Sequence, residues 1–392
     1  MARPAPAPRS RTPAAEGSAL DVPAARLAAQ QLAAPRLEAP VARVGWFGAL
    51  QAQDPAAARW AVALRLSQSA RPAVEADVAR ALADGRILRT HALRGTWHLV
   101  TPADARDLLA LSGPRVMASA RTRHRRLGLD AATVRKALTV IARTLEVGHQ
   151  PRQALRAALE RAGLAPEGQR LSHLLVIAEL EEVAVSGVPL DGQPSWAAFD
   201  ERVPPRRGRF DRQAALAALA LRYVRSRGPA TPADLAWFAG ATLGEARAAL
   251  AASRGPLVEV SVAGRTVWQA SDASAAPASQ AGVHLLPAFD EYLVGYRRRD
   301  DVLDPRHARA INAGGGLLDP VVVAGGRVVG TWRRELGRRG VAVQVELFGA
   351  APRALRQEVA AAAVRYGAFL GLEPAVTFSR LGVGGGLPRR SR

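Results

Sequence analysis

Two glutamines, Gln51 and Gln53, stand immediately before the start of a predicted helix. Asp54 and Pro55 mark that start, because aspartate is a preferred N-cap and proline suits the first helical position. Side chains two residues apart point to the same side of an extended segment, so both amides are expected to project together at the mouth of the helix. In a helix-turn-helix this end of the recognition helix faces DNA, where glutamine can read adenine. Gln51 and Gln53 could have a catalytic role. The alternatives are that they read adenine or are ordinary polar loop residues.

The rest of the sequence holds little of the common catalytic machinery. It has no Walker loop, no HExxH, no GxSxG and no GxGxxG after a strand. It has no cysteine either, which excludes zinc fingers, iron–sulfur clusters, thiol catalysis and disulfides. The seven histidines lack ligand spacing, and His91 and His98 share a strand region without cysteine or carboxylate neighbours. We therefore expect no metal and no cofactor.

The charge balance indicates a polyanionic partner. There are 54 Lys and Arg against 34 Asp and Glu, a net charge of +20, which is typical of proteins that bind nucleic acid or anionic membranes. No apolar stretch of about 18 residues lacks charges, and the N-terminus has no apolar signal segment, so we expect a cytoplasmic protein. A membrane-surface protein would need a basic amphipathic helix with bulky apolar residues, which the alanine-rich helices lack.

Hydrophobic periodicity divides most of the chain into three units in which helices precede a strand pair. The units are residues 21–113, 114–205 and 206–275. The predicted helices are residues 23–32, 41–50, 55–66, 75–84, 131–145, 152–162, 171–182, 214–226, 232–239 and 242–252. The predicted strand pairs are residues 87–100, broken at Arg94 and Gly95, then 183–199 and 257–269. Helix, helix, helix, hairpin is the winged-helix pattern.

Residues 283–380 differ from the three units in having mainly strand-like runs, which predicts a small β-rich, barrel-like module packed on the third unit. Strand-like runs occupy residues 287–296, 320–332 and 341–348, Gly325 and Gly326 form a hairpin turn, and residues 353–370 form a closing helix. The basic ends, residues 1–20 and 381–392, are expected to be disordered. The predicted fold class is therefore α+β and mainly helical.

Adjacent carboxylates within this module, Asp290 and Glu291, have two interpretations. They could be an acid pair with a chemical role. We favour a structural role, in which they make hydrogen bonds from the C-terminal module to the third unit.

Four segments together resemble the AlkZ-type DNA glycosylases, members of a winged-helix superfamily that also includes the YcaQ/AlkX branch. LQAQD at residues 50–54 resembles the family's Gln–hydrophobic–Gln motif, whose second Gln is Asp in that branch. The other three are RGTWHLV at residues 94–100, LLPAFDEYL at 285–293 and GRVVGTWRR at 326–334. Their order and spacing make the match specific, although residues 115–205 contribute little and Ala52 is smaller than the usual aliphatic.

The resemblance implies three tandem winged helices in a C-shaped arrangement around DNA, with Gln51 and Gln53 at the centre of the concave face. It implies a monofunctional glycosylase for guanine alkylated at N7, including bulky natural-product adducts and, in some members, interstrand crosslinks, in DNA repair or self-resistance. The expected partner is double-stranded DNA with alkylated bases, bound by a monomer. The candidate DNA-binding residues are His91, Arg94, His98, Arg206, Arg207, Arg209, Arg297, Arg298, Arg299, Arg333 and Arg334.

The implied chemistry agrees with the residues present. Alkylation at N7 makes guanine a cationic leaving group, so no acid is needed to protonate it. Gln51 and Gln53 cannot act as ordinary bases, but two carbonyls can orient one water beneath C1′. The alternative is a winged-helix transcription regulator without catalysis, since fold alone does not separate the two.

Overall fold

A computed structural model of the protein describes residues 20–67, 74–273, 282–314 and 317–380. Those residues form an α+β structure with fourteen α-helices and five small sheets. The helices are α1 Val22–Ala29, α2 Pro40–Phe47, α3 Pro55–Ala63, α4 Glu75–Ala83, α5 Pro102–Arg126, α6 Ala131–Leu145, α7 Arg152–Arg161, α8 Arg170–Leu180, α9 Phe199–Arg202, α10 Arg212–Arg227, α11 Pro232–Ala239, α12 Leu243–Ala252, α13 Glu291–Val294 and α14 Arg353–Leu370. Apart from Leu20, the two basic ends expected to be disordered lie outside the described residues.

The strands are short except in the C-terminal sheet. They are β1 Leu50–Gln51, β2 Leu88–Ala92, β3 Thr96–Val100, β4 Gln150–Pro151, β5 Ala184–Ser186, β6 Ser195–Ala198, β7 Leu257–Val262, β8 Arg265–Ala270, β9 Val283–Leu286, β10 Asn312–Gly314, β11 Leu317–Leu318, β12 Val321–Ala324, β13 Arg327–Leu336, β14 Gly340–Leu347 and β15 Glu373–Arg380.

The same topology occurs three times. In the first unit a helix (α2), a short strand (β1), two helices and a hairpin give the strand order β1-β3-β2. The second unit repeats this with α6, β4, α7, α8 and a hairpin, in the order β4-β6-β5. In the third unit, Ala230 follows α10 and bridges Trp268 of β8 in the position of the short strand.

The first unit departs from the expected helix over residues 41–50. Helix α2 ends at Phe47, because Gly48 has φ +73° and turns the chain out of the helix. Leu50 then begins strand β1. The residues before the Gln pair are therefore a turn and a strand, which places Gln51 in a sheet.

Helix α5 joins the first and second units and was not predicted. It runs unbroken from Pro102 to Arg126 although Pro114 lies inside it. The boundary expected between residues 113 and 114 falls within this helix. One face is buried by Ala105, Leu108 and Leu109 in the core shared with the third unit, so tertiary packing maintains the helix through the proline.

The C-terminal module is an open sheet rather than a barrel. Its strand order is β15-β14-β13-β12-β9, with β15 parallel to β14, and β15 was missing from the expected elements. The sheet and α14 share an apolar core with the first unit, not the third. Trp60 of α3 contacts Tyr366 and Phe369 at ring-centroid distances of 5.0 and 5.1 Å, and its indole N–H donates to the Leu285 carbonyl.

Residues 287–296 form no strand, contrary to expectation. Asp290 caps the short helix α13 by accepting a hydrogen bond from the Tyr292 N–H at 2.9 Å. Helix α13 ends at Val294, and the hydroxyl of Tyr296, two residues later, donates to the Arg227 carbonyl of the third unit at 2.7 Å. This segment reaches the third unit as expected, and so do two residues after it: the Arg297 N–H donates to Asp234 at 2.9 Å, and Asp301 pairs with Arg265.

Candidate active site

The Gln51–Gln53 segment lies along an edge of the sheet β1-β3-β2. Leu50 and Ala52 are buried in the core shared with the C-terminal sheet. Gln51 alternates with them and is 7% exposed, whereas Gln53 is exposed at the surface. Gln51 is thus buried together with Leu50 and Ala52, and the two amides, expected to project together, differ in exposure.

Asp54 begins helix α3 as predicted. Its carboxylate accepts hydrogen bonds from the backbone N–H groups of Ala56 and Ala57 at 2.8 and 3.0 Å, and Pro55 takes the first helical position. The cap holds Gln53 directly ahead of the helix N-terminus.

Gln51 is held at both its side chain and its backbone. The hydroxyl of Thr96 donates to the side-chain carbonyl Oε1 of Gln51 at 3.2 Å. The backbone N–H of Gln51 donates to Oε1 of Glu291 at 2.6 Å. The next residue, Ala52, donates its N–H to the carbonyl of Trp97 on β3 at 2.7 Å. The amide of Gln51 therefore has a defined place and orientation.

His98 lies opposite Gln51 on the neighbouring strand. It is buried, and its Nδ1 lies 2.8 Å from the Thr96 carbonyl, to which a neutral ring donates. Burial, followed by the positive charge of Arg94, lowers the pKa of His98 to about 3. His98 is therefore a neutral histidine packed inside the first unit beside the Gln segment.

Arg94 connects the first hairpin to the third unit. Its guanidinium donates to the carbonyls of Trp237 and Phe238 at 3.0 and 3.2 Å and lies 4.7 Å from the centre of the Trp237 ring. Burial lowers the pKa of Arg94, while the charge of Glu291 raises it. Gly240 allows this contact, since a Cβ there would lie 3.2 Å from the Leu93 carbonyl oxygen.

His91 of β2 is bound within the protein by a residue of the second unit. Its Nδ1 lies 2.8 Å from Oε2 of Glu179 in α8, and its ring lies 3.8 Å from the ring of Trp97. Glu179 also accepts hydrogen bonds from the Thr90 hydroxyl and the Trp196 indole.

The arginines proposed to contact DNA differ in whether the chain already binds them. Those bound to side chains are Arg206, by Asp107 at 2.7 Å, Arg298, by Asp300, and Arg334, by the hydroxyl of Tyr366. Arg299 is half-buried and donates to the Leu293 carbonyl at 3.0 Å. Those exposed and without an ion pair to any described residue are Arg207, Arg209, Arg297 and Arg333.

Two features are absent from the described part of the chain. It contains no group of three or more histidines or carboxylates that could hold a metal ion. None of its helices is long and apolar enough to cross a membrane.

Sequence reasoning missed several residues that hold the Gln segment. Arg227 of α10 pairs with Glu291, and it is separated from Gln51 by more than 170 positions. Thr96 carried a signal, since it lies in the hairpin segment already singled out. Arg227 carried none, because an arginine near a helix C-terminus is ordinarily a surface residue.

Comparison with known proteins defines the class. Residues 44–369 match the family model described as DNA glycosylase AlkZ-like. This is most of the chain, which therefore belongs to the AlkZ-like family of DNA glycosylases. It is a DNA glycosylase, and DNA is its partner.

Two relatives illustrate the similarity. An interstrand DNA cross-link repair glycosylase of Streptomyces sahachiroi is 28% identical over 304 residues, which are 74% of this chain and 80% of the relative. The solved structure of the Streptomyces sahachiroi DNA glycosylase AlkZ has a TM-score of 0.76 and 24% identity. That match covers 92% of this chain and 98% of the solved chain.

Proposed function

We propose that this glycosylase hydrolyses the N-glycosidic bond of guanine alkylated at N7 in duplex DNA, with bulky genotoxin adducts as its physiological substrates. The observation that carries the proposal is the fixed amide of Gln51, whose carbonyl is oriented by Thr96 and whose backbone is held by Glu291. The relative named as a cross-link repair glycosylase brings interstrand crosslinks into the substrate range. The role that we assign to this activity is DNA repair or self-resistance.

The chemistry needs orientation more than acid–base catalysis. An N7-alkylated guanine is already cationic, so the N-glycosidic bond can break without protonation of the base, and the sugar becomes oxocarbenium-like. Gln51 and Gln53 hold the attacking water by accepting hydrogen bonds from its O–H groups, and their carbonyl dipoles favour the positive charge that develops at C1′. The base leaves with the bond pair as a neutral alkylguanine, and the water that adds to C1′ gives its surplus proton to solvent. Neutral His98 adds no cation to this region, which suits a transition state of positive charge.

The three units of equal topology are, in this proposal, tandem winged helices in a C-shaped arrangement, with the Gln segment on the concave face. The exposed arginines Arg207, Arg209, Arg297 and Arg333 contact phosphates, and a monomer carries out the reaction. Arg94 and His98 act close to the lesion by shaping the site beside Gln51 rather than by reaching far into the duplex.

The test is incubation with a duplex that carries one N7-methylguanine, or one bulky N7 adduct, followed by analysis for free base and abasic sites. Release of the modified base and an abasic site in several flanking sequences is the expected result. A parallel selection from randomised duplexes should yield no motif. Recovery of a palindromic motif without base release from any alkylated duplex would instead indicate a regulator.

A further inference from the structure

Two adjacent buried carboxylates at the start of α13 each pair with a buried arginine from another part of the chain. Asp290 is bound by Arg65 of the first unit through both oxygens, at 2.6 and 2.9 Å. Glu291 is bound by Arg227 of the third unit at 2.8 Å. The side chains of all four residues are at most 1% exposed. The two pairs are therefore similar in burial and charge but differ in what else they touch.

Glu291 alone reaches the Gln segment. Its Oε2 binds Arg227, and its Oε1 accepts the backbone N–H of Gln51 at 2.6 Å. Strand β1 is an edge strand, so no other strand of the described residues is available to that N–H. A hydrogen bond from an amide to a carboxylate is roughly twice as strong as a neutral one. The carboxylate thus takes the position that a partner strand would otherwise occupy.

Arg227 binds two further backbone groups of the segment that leads to Gln51. Its Nη1 donates to the carbonyl of Phe47 at 3.1 Å, and its Nη2 donates to the carbonyl of Ala49 at 2.6 Å. Together the pair binds backbone groups of residues 47, 49 and 51, every second residue of the segment that leads to the Gln pair. The Phe47 and Phe238 rings lie 4.7 and 4.2 Å from the guanidinium and exclude water from it.

We infer that Glu291, with Arg227 behind it, is a positioning residue for base excision. Glu291 does not contact DNA; it fixes the position and orientation of Gln51 relative to the attacking water and C1′. The inference rests on the proposed role of Gln51. A carboxylate is required because the group must accept the Gln51 N–H and neutralise Arg227 together, and an amide does only the first. Since a displacement of about 1 Å can cost 10²-fold in rate, loosening this anchor lowers excision without lowering DNA affinity.

The experiment compares Glu291→Gln and Glu291→Asp with a matched control, Asp290→Asn. The control also removes a charge from a buried ion pair in the same turn, but Asp290 makes no contact with the Gln segment, and asparagine caps a helix as well as aspartate does. Single-turnover excision of N7-methylguanine and the Kd for the undamaged duplex are measured on the full chain, at a temperature at which circular dichroism shows each variant folded.

Both Glu291 variants are expected to lose about 10²-fold in excision rate while their Kd stays within about threefold. Asp290→Asn is expected to lower Tm but to keep a rate within about threefold of the parent. Should Glu291→Gln fail to fold, Glu291→Asp carries the test, because it keeps the charge beside Arg227 and only shortens the reach to Gln51.

The inference is overturned if the folded Glu291 variants excise at the parent rate, or if Asp290→Asn slows excision as much as they do. Gln51→Ala separates this failure from failure of the proposed function. Loss of excision in Gln51→Ala with normal Glu291 variants rejects only the positioning role, whereas normal excision in Gln51→Ala rejects the catalytic site itself.

Discussion

Thr96 is the side chain that orients the amide of Gln51. Thr96→Val keeps the shape and the β propensity of the residue but removes the hydroxyl that donates to the Gln51 carbonyl at 3.2 Å. A net hydrogen bond contributes about 0.5–1.5 kcal/mol, so the single-turnover excision rate should fall about two- to tenfold at unchanged DNA affinity. Thr96→Ser keeps the hydroxyl and should stay near the parent rate; equal rates for the valine and serine variants would contradict this orientation.

His98 makes a pH-dependent contribution to stability whose sign follows from its lowered pKa. The native pKa is about 3, below the ordinary value of 6.5, so the unfolded state binds a proton that the native state does not bind between these values. The contribution is complete above pH 6.5 and is lost as the pH falls from 6.5 towards 3. In urea unfolding, the free energy of unfolding of His98→Gln should fall less steeply over this range, by up to about 1.4 kcal/mol per pH unit. Parallel curves for parent and variant would refute it.

The contact between the first hairpin and α11 depends on a glycine. Gly240 ends α11 with φ +62°, and a Cβ there would meet the Leu93 carbonyl oxygen at 3.2 Å. Gly240→Ala should lower the free energy of unfolding by about 1–2 kcal/mol, because an L-residue is strained in this conformation. Gly244→Ala is the matched control: it lies in α12 with no atom of the described residues within 4 Å of the added Cβ, and it should stabilise by about 0.5–1 kcal/mol. Equal effects in chemical denaturation would contradict the close approach.

Elements whose ends are fixed by capping residues or proline could be predicted from the sequence, whereas elements fixed by contacts between distant residues could not. Helix α14 has the predicted bounds, and α3 and α11 begin at the predicted caps, because capping residues and proline act within one turn. Residues 287–296 read as a strand because they are rich in apolar and aromatic residues, yet the Asp290 cap turns the chain into α13. Strand β15 was missed since its parallel partner β14 lies across α14.

One part of the candidate site could likewise be predicted from local sequence, and the other part could not. The Gln pair and its helix start are visible within five residues, 51–55, because spacing and capping are local. Glu291 and Arg227 reach the segment from sequence separations of 240 and 178 positions. The sequence predicts hydrogen bonds from Asp290 and Glu291 to the third unit; Glu291 makes one, with Arg227, whereas Asp290 binds Arg65 of the first unit. No local signal indicates that Glu291 and Arg227 contact the Gln segment. A sequence alone therefore locates the chemistry but not the groups that hold it in place.

The net charge of +20 gives the whole molecule a salt-dependent affinity for DNA. If about six arginines contact phosphates, log K against log salt should have a slope of about −5 on undamaged duplex. Arg207→Gln with Arg209→Gln removes two exposed cations and should reduce the slope by about 2. Arg156→Gln, whose guanidinium pairs with Glu160, should leave it unchanged. A slope near zero in the parent protein would reject phosphate contacts as the basis of binding.

The most direct test of the central claim is single-turnover excision of N7-methylguanine by the parent protein and by the Gln51→Ala, Gln53→Ala double variant, with Kd for the same duplex measured beside it. Both side chains lie at the end of an ordered strand whose core residues are untouched, so the variant should fold and bind DNA within about threefold of the parent. Because removal of one preorganised polar group at a transition state costs about 10²–10³-fold, loss of both should bring excision close to the uncatalysed rate. An abasic-site yield equal to that of the parent would contradict the assignment of the active site to this glutamine pair.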